Sequence, residues 1–310
     1  MICSICHRFI RAAARRAFTV VELLVAISVL TLIVLVLFTL FDQVQKALRS
    51  NAAQVDALEG GRAAIELMAR EMEQMQAGNV WYITNFYAGL SARPYAQPLH
   101  DPGTARTNVI DEVFFLTKSN KYWIGTGYRV LATTNRFATF DTFEANALTL
   151  ARYSFRTSES DFGNFNVFAR VMGLSYLPAA LVHGPPVSPI YPRFDFLTNY
   201  QAITEGVVHF RVRAYDTNGL LMAWNSTNYL ANGYSNVVMT NGPGTTEETQ
   251  YAFTGPALPA YVEIEMAILE PPVLERLKSM PVREAAERYF TNQVGALHLF
   301  RKRVPIRAGL

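Results

Sequence analysis

The residues at the start of the chain with the spacing to do chemistry are Cys3, Cys6 and His7, which spell C-x-x-C-H. That pattern reads as covalent haem attachment. Its placement argues against it. A basic segment ahead of an apolar run stays in the cytoplasm, whereas this attachment chemistry belongs on the far side of the membrane. Zinc normally takes four ligands, and no second Cys/His cluster lies nearby. No cysteine occurs after Cys6, so nothing beyond the apolar run rests on disulfides. The remaining histidines (His100, His183, His209, His298) are scattered, and no nucleophile elbow, P-loop or dinucleotide fingerprint occurs. His100-Asp101 stands before Pro-Gly and reads as a turn. Asp216 and Asn218 offer oxygens of the kind calcium wants, but no third or fourth carboxylate is close by, and Asp216-Thr217-Asn218-Gly219 reads as a turn. The chain is therefore expected to be non-enzymatic, with no catalytic residue, no cofactor and no metal.

One charged group does stand where charge is costly. From Phe18 to Phe41 the sequence is FTVVELLVAISVLTLIVLVLFTLF, with Glu22 as its single charge. The uncharged stretch after Glu22 spans about 28 Å as helix at ~1.5 Å per residue, close to the ~30 Å of a bilayer core. A carboxylate at the centre of such a span costs about 2.5–3.5 kcal/mol on insertion scales. The run is longer than the ~7–15 residue core of a secretory signal and no small-x-small cleavage site comes after it. Arg8, Arg11, Arg15 and Arg16 precede it with no acid among them, so taking those four from the formal +3 leaves the rest at −1. That remainder gives no electrostatic case for nucleic-acid binding. The arginines place the N-terminus in the cytoplasm and the chain beyond the span on the other side of the membrane.

Arg16-Ala17-Phe18-Thr19-Val20-Val21-Glu22-Leu23-Leu24-Val25-Ala26 resembles the cleavage and methylation motif of type IV prepilins and type II secretion pseudopilins. The resemblance implies a prepilin peptidase that cuts between Ala17 and Phe18 and methylates the new N-terminus of Phe18. The family's usual residue before the cut is Gly; here it is Ala17, which keeps the small size. Glu22 becomes the fifth mature residue, and its carboxylate would pair with the freed amine of Phe18 on the same or a neighbouring chain during subunit assembly.

Beyond the span, Val44, Leu48, Val55, Leu58, Ile65, Met68, Met72 and Met75 recur at helical spacing, with Arg62, Glu66, Arg70, Glu71 and Glu73 on much of the remainder. Gly60-Gly61 predicts a kink or short break, and Gly78 a terminus. The text from Trp81 to Asn108 reads as a long loop. Strands are expected at Asp111–Thr117, Tyr122–Val130, Leu148–Phe155, Gly206–Asp216 and Leu258–Leu269. Residues 183–196 are proline-dense and read as an extended connection, and residues 231–256 as loop. His209, Arg211 and Arg213 fall on the polar face of their strand, His209 as a solvent or cross-strand residue. The tail is expected to hold short helices over 273–278 and 281–292, then a basic strand over 296–306 whose Arg301-Lys302-Arg303 discourages edge aggregation. The run from Arg62 to Met72, and the order of a strand like VVHFRVRAYD, a turn, Trp224, a loop and Leu258-Pro259-Ala260-Tyr261-Val262, resemble the J-type minor pseudopilins.

The expected fold class is α+β: a long N-terminal helix, half transmembrane and half amphipathic, packed on an antiparallel β-sheet domain of pseudopilin type. The expected divisions are a cleaved basic leader (1–17), a transmembrane helix (18–41), an amphipathic continuation (42–77) and a periplasmic β-rich domain (78–310). The resemblance implies a minor pseudopilin of a type II secretion-like system, single-pass in a bacterial inner membrane and recruited at or near a filament tip. Implied partners are the prepilin peptidase, the membrane, other pseudopilins (tip and major subunit) and a secreted substrate protein; no nucleic acid is expected. The alternatives are a minor pilin of a type IV pilus, serving adhesion or DNA uptake, and a membrane-anchored binding protein that does not polymerise.

Overall fold

The computed structural model describes residues 19–90, 98–101, 104–132, 148–163, 167–172, 200–225, 236–241, 248–280 and 283–307. The proline-dense stretch at 183–196 lies outside them, as do Ala17 and Phe18. The chain divides into two compact units, Met1–Ala52 and Ala53–Leu310.

Helix α1 runs Val20–Met72 without interruption. No break occurs at Gly60-Gly61, contrary to the sequence expectation. A Cβ on Gly61 would meet the ring of Phe300, so this glycine serves a close approach and not a bend. The helix also ends earlier than expected, at Met72 and not beside Gly78. In the first unit its side chains from Leu23 to Phe41 are exposed along the whole apolar stretch. Within the second unit the predicted apolar stripe divides: Ile65, Met68 and Met72 are buried, whereas Val55 and Leu58 are exposed.

The second unit is built on an antiparallel seven-stranded sheet and a three-stranded sheet. The strands are β1 (Thr84–Leu90), β2 (Pro98–Asp101), β3 (Thr104–Thr107), β4 (Asp111–Ser119), β5 (Tyr122–Ala132), β6 (Leu148–Ser158), β7 (Gln201–Glu205), β8 (Val207–Tyr215), β9 (Val237–Asn241), β10 (Thr249–Thr254), β11 (Tyr261–Leu269) and β12 (Leu297–Pro305). The described helices of this unit after α1 are α2 (Val167–Met172), α3 (Pro271–Lys278) and α4 (Arg283–Thr291), with a 3-10 turn at Val294–Ala296. The large sheet has the order β7-β6-β5-β4-β1-β10-β9, the small one β12-β11-β8, and β2 pairs with β3.

One core lies between the sheets and the C-terminal part of α1. Met68, Met72 and Met75 meet Phe86, Phe115 and Tyr128 of the large sheet and Phe210, Ile264 and Met266 of the small one. Each such side chain contributes about 1.5–3 kcal/mol on burial. Glu71 ties the helix to the large sheet. Arg152 donates to both its oxygens, from Nε at 3.0 Å and Nη2 at 2.7 Å, and the Tyr128 hydroxyl donates at 2.5 Å. Burial and then the neighbouring Glu71 push the Tyr128 hydroxyl pKa upward. Glu66, on the polar side of the helix, accepts from Lys302 of β12 at 2.6 Å.

The opposite face of the large sheet is covered by α2. Gly125 and Gly127 stand on that face, and a Cβ at either would come within 2.5 Å of Val167 or Val171. Two glycines at i and i+2 of β5 thus let the helix sit against the strand. The same face holds a buried ion pair in which Arg129 Nε donates to Glu112 Oε2 at 2.6 Å. Burial nonetheless pushes the Glu112 carboxyl upward. A third cluster packs Leu274, Leu277 and Phe290 of α3 and α4 onto Ile110, Val208 and Ala267.

Two loop expectations are corrected. Residues 84–90 form β1, buried throughout, and residues 249–254 form β10 beside it. Both lie inside a sheet whose faces are covered, so β1 carries no polar alternation to read.

Candidate functional site

Glu22 occupies the third position of a helix whose N-cap is Thr19. The Thr19 amide donates to Glu22 Oε2 at 3.0 Å, the Thr19 hydroxyl to the same oxygen at 3.1 Å, and the Glu22 amide to Thr19 Oγ1 at 3.3 Å. This is a reciprocal capping box. It satisfies amides that a helix start leaves open, and it sets a negative group at the positive end of the helix dipole. Glu22 is expected to serve assembly, and the T-x-x-E spacing by which Thr19 caps the helix is also visible in the chain. Only Oε2 is engaged by Thr19; Oε1 has no partner among the described residues. Ala17 and Phe18, the expected cleavage and methylation positions, fall outside the described residues.

Below the cap, the helix has the composition and length to cross a membrane, with a mean hydropathy of 3.0 over its most apolar window and none of that window buried by protein. Its few hydroxyls turn back to the backbone. Ser28 donates to the Val25 carbonyl at 2.8 Å, Thr39 to that of Val36 at 2.7 Å, and Thr31 to that of Ile27. Polar groups satisfied inside the segment are what a hydrocarbon surrounding demands. The exposed apolar side chains continue past Phe41 to Val44 and Leu48.

In the second unit, five titratable residues (His209, Arg211, Glu265, Glu248 and Asp111) gather where the large sheet joins the small one. His209 is 3% exposed, not a solvent residue. The Val109 amide donates to its Nδ1 at 3.1 Å, so the ring proton sits on Nε2 and is shared with Glu265 at 3.2 Å. His209 first, with Arg211 and Arg301 adding to it, holds the Glu265 carboxyl down at about 2. Arg211 donates to Glu248 at 2.5 Å, and the Val212 amide donates to Asp111 Oδ2 at 2.7 Å. Burial raises the Asp111 carboxyl to about 8. His209 and Asp111 hold Val109–Asp111 against the edge of β8, while Arg211 is engaged by Glu248, and the expected cross-strand role of His209 is met by Glu265.

A cleft of about 940 Å³ opens beside the end of α1, lined by Trp123, Tyr215, Phe253 and Leu258 among others. Lys118 and Glu159 on its wall pair with each other at 2.7 Å. Asp216, at its other side, accepts the amides of Asn218 and Leu220 within its own turn. Among the described residues no group of three or more His, Cys, Asp or Glu is placed to hold a metal ion.

Compared with known proteins, the chain matches no family model, no curated protein and no solved structure. The functional reading therefore rests on the geometry and the residues themselves.

Proposed function

We propose that the chain is a non-enzymatic structural subunit: a minor pseudopilin of a type II secretion-like system, trimmed before Phe18, N-methylated there, and recruited near a filament tip through α1 and Glu22. The observation that carries the reading is a lone carboxylate at the first turn of an unbroken, lipid-compatible helix that continues into a β-rich domain. The uncovered apolar side chains on α1 at Val44, Leu48, Val55 and Leu58 support it, since a helix bundle of neighbouring subunits would bury them. In this reading Glu22 Oε1 receives the amine of a neighbouring Phe18, while Oε2 stays with Thr19. The β-domain then faces the periplasm, toward other minor subunits and a secreted substrate protein.

The capping box favours a second reading, in which Glu22 only starts the helix of a plain anchored binding domain. One pair of variants separates them. Glu22→Gln keeps a residue that completes a capping box but removes the charge, and Glu22→Ala removes both. If the charge registers subunits, both variants insert and neither enters a filament alongside its partner subunits. If Glu22 only caps, Glu22→Gln behaves like the parent. Processing is tested by N-terminal sequencing and mass analysis of the membrane-extracted chain from a host with a prepilin peptidase. A methylated Phe18 terminus is expected; an intact Met1 would sink the proposal.

A further inference from the structure

The two edges of the small sheet are treated differently. At β8, the outward groups are occupied: the Phe210 amide donates to the Val109 carbonyl at 2.8 Å, the Val212 amide to Asp111, and the Ala214 carbonyl accepts from the Met222 amide at 3.0 Å. At β12 they are not. The Glu270 amide bonds to the Ala296 carbonyl, and the Ile306 amide to the Ala260 carbonyl, at the two ends of the β11–β12 ladder. The register between them is continuous. In an antiparallel pair, bonded residues alternate, so the even-numbered residues of β12 bond inward to β11. Leu299, Arg301 and Arg303 therefore turn both their N–H and C=O groups outward, where no described residue meets them. Pro305 ends the row with a carbonyl and no N–H.

The side chains of those same residues lie on the outer face of the sheet, away from the core. Cross-strand neighbours there form a pattern. One row reads Arg213, Glu263, Arg303 across β8, β11 and β12, and the next reads Arg211, Glu265, Arg301. The charges alternate in each row, plus, minus, plus. Arg301 reaches Glu265 at 3.0 Å and Glu263 at 3.3 Å, yet remains 57% exposed. Leu299, at the neighbouring position of β12, is 54% exposed. A fourth strand that continued both rows would carry an acid opposite Arg303, an acid opposite Arg301 and an apolar residue opposite Leu299.

We infer that the open edge of β12 is a docking site for an extended acidic segment of another protein, which adds as a fourth strand with carboxylates at i and i+2 and an apolar residue at i+4. Main-chain bonds to Leu299, Arg301 and Arg303 supply the pairing, and the alternating rows supply the selectivity. The basic edge is selective, not closed: a second copy aligned on Arg301 would set arginine against arginine, which opposes self-association. The proposal stands on β12 alone and is independent of how Glu22 is used.

The test uses the full chain in detergent and two labelled synthetic peptides, TETETVTVT and TKTKTVTVT, with binding read by fluorescence anisotropy up to millimolar concentration. The glutamate peptide is expected to bind about tenfold more tightly than the lysine peptide. The double variant Arg301→Glu, Arg303→Glu is expected to reverse that preference. Since the variant also faces Glu263 and Glu265, amide exchange on the parent protein provides a second measurement: the glutamate peptide should slow exchange at Leu299, Arg301 and Arg303. Equal affinity for the two peptides, binding of neither, protection confined to other strands, or cross-linking of β12 to β12 of a second copy would each overturn the proposal.

Discussion

Replacing Gly125 with alanine tests how the large sheet accepts α2. The added Cβ would lie 2.5 Å from Val167 Cγ1 and 2.8 Å from Phe114 Cε2. Both neighbours are fully buried and packed in the same cluster, so neither can yield without moving the helix or a central strand. An uncrowded glycine in a strand would gain about 0.5–1 kcal/mol on becoming alanine. Overpacking costs about 1–3 kcal/mol. The net expectation is a loss of about 0.5–2 kcal/mol, or a fall in Tm of ~2–4 °C for each kcal/mol in a domain of this size. Urea unfolding of the full chain in detergent can be monitored through Trp123, which stacks on Phe162 at 4.3 Å. Val167→Ala removes the obstructing methyl, so in the Gly125→Ala background it should cost less than in the parent, with a coupling of about 1 kcal/mol or more. Gly60→Ala is the control. Its nearest neighbour is Thr204 Oγ1 at 3.5 Å, and it should stabilise by about 1 kcal/mol. A Gly125→Ala protein as stable as the parent, or effects of Gly125→Ala and Val167→Ala that simply add, would refute the close-approach argument.

Three further outcomes are expected. Asp111, raised from 3.8 to about 8, favours the folded state most below pH 4, and that contribution is lost as pH climbs toward 8. Asp111→Asn keeps an oxygen for the Val212 amide, so unfolding measured from pH 5 to pH 9 should show a flatter profile than the parent. Glu265, held down from 4.5 to about 2, has the opposite sign: its contribution is complete above pH 4.5 and is lost as pH falls toward 2. Glu265→Gln should therefore flatten the acid limb, by on the order of 1–2 kcal/mol after solvent screening. Arg152→Ala leaves Glu71 half-buried with only Tyr128, at a cost of about 1–3 kcal/mol in urea unfolding, and Glu71→Gln, which preserves an acceptor for Tyr128, should cost less than Arg152→Ala.

The parts of the fold legible in the chain are those whose environment differs on two sides. Helix α1 is readable because an uninterrupted apolar run needs no partner to declare itself. Strands β8 and β11 are readable because one face is apolar core and the other a charged ladder, which writes period two into the residues. Strand β1 is not readable, because it has β4 and β10 beside it and covered faces above and below, so nothing alternates. Gly61 misleads for a related reason. In the chain a glycine pair in a helix looks like a weakness, and only the ring of Phe300, distant in sequence, shows what one of the two is for.

The same division holds for function. By itself the sequence determined the long apolar helix, the position of its one charge and the T-x-x-E spacing that caps it, because all three are local properties of a helix start. Tertiary structure alone decided that His209 is buried with its proton on Nε2, that Asp111 serves a strand edge, and that β12 turns one row of amides to the outside. Those facts depend on which strands become neighbours and in what register, and pairing between residues far apart in the chain is set by the packing of the whole core, not by any short stretch of it.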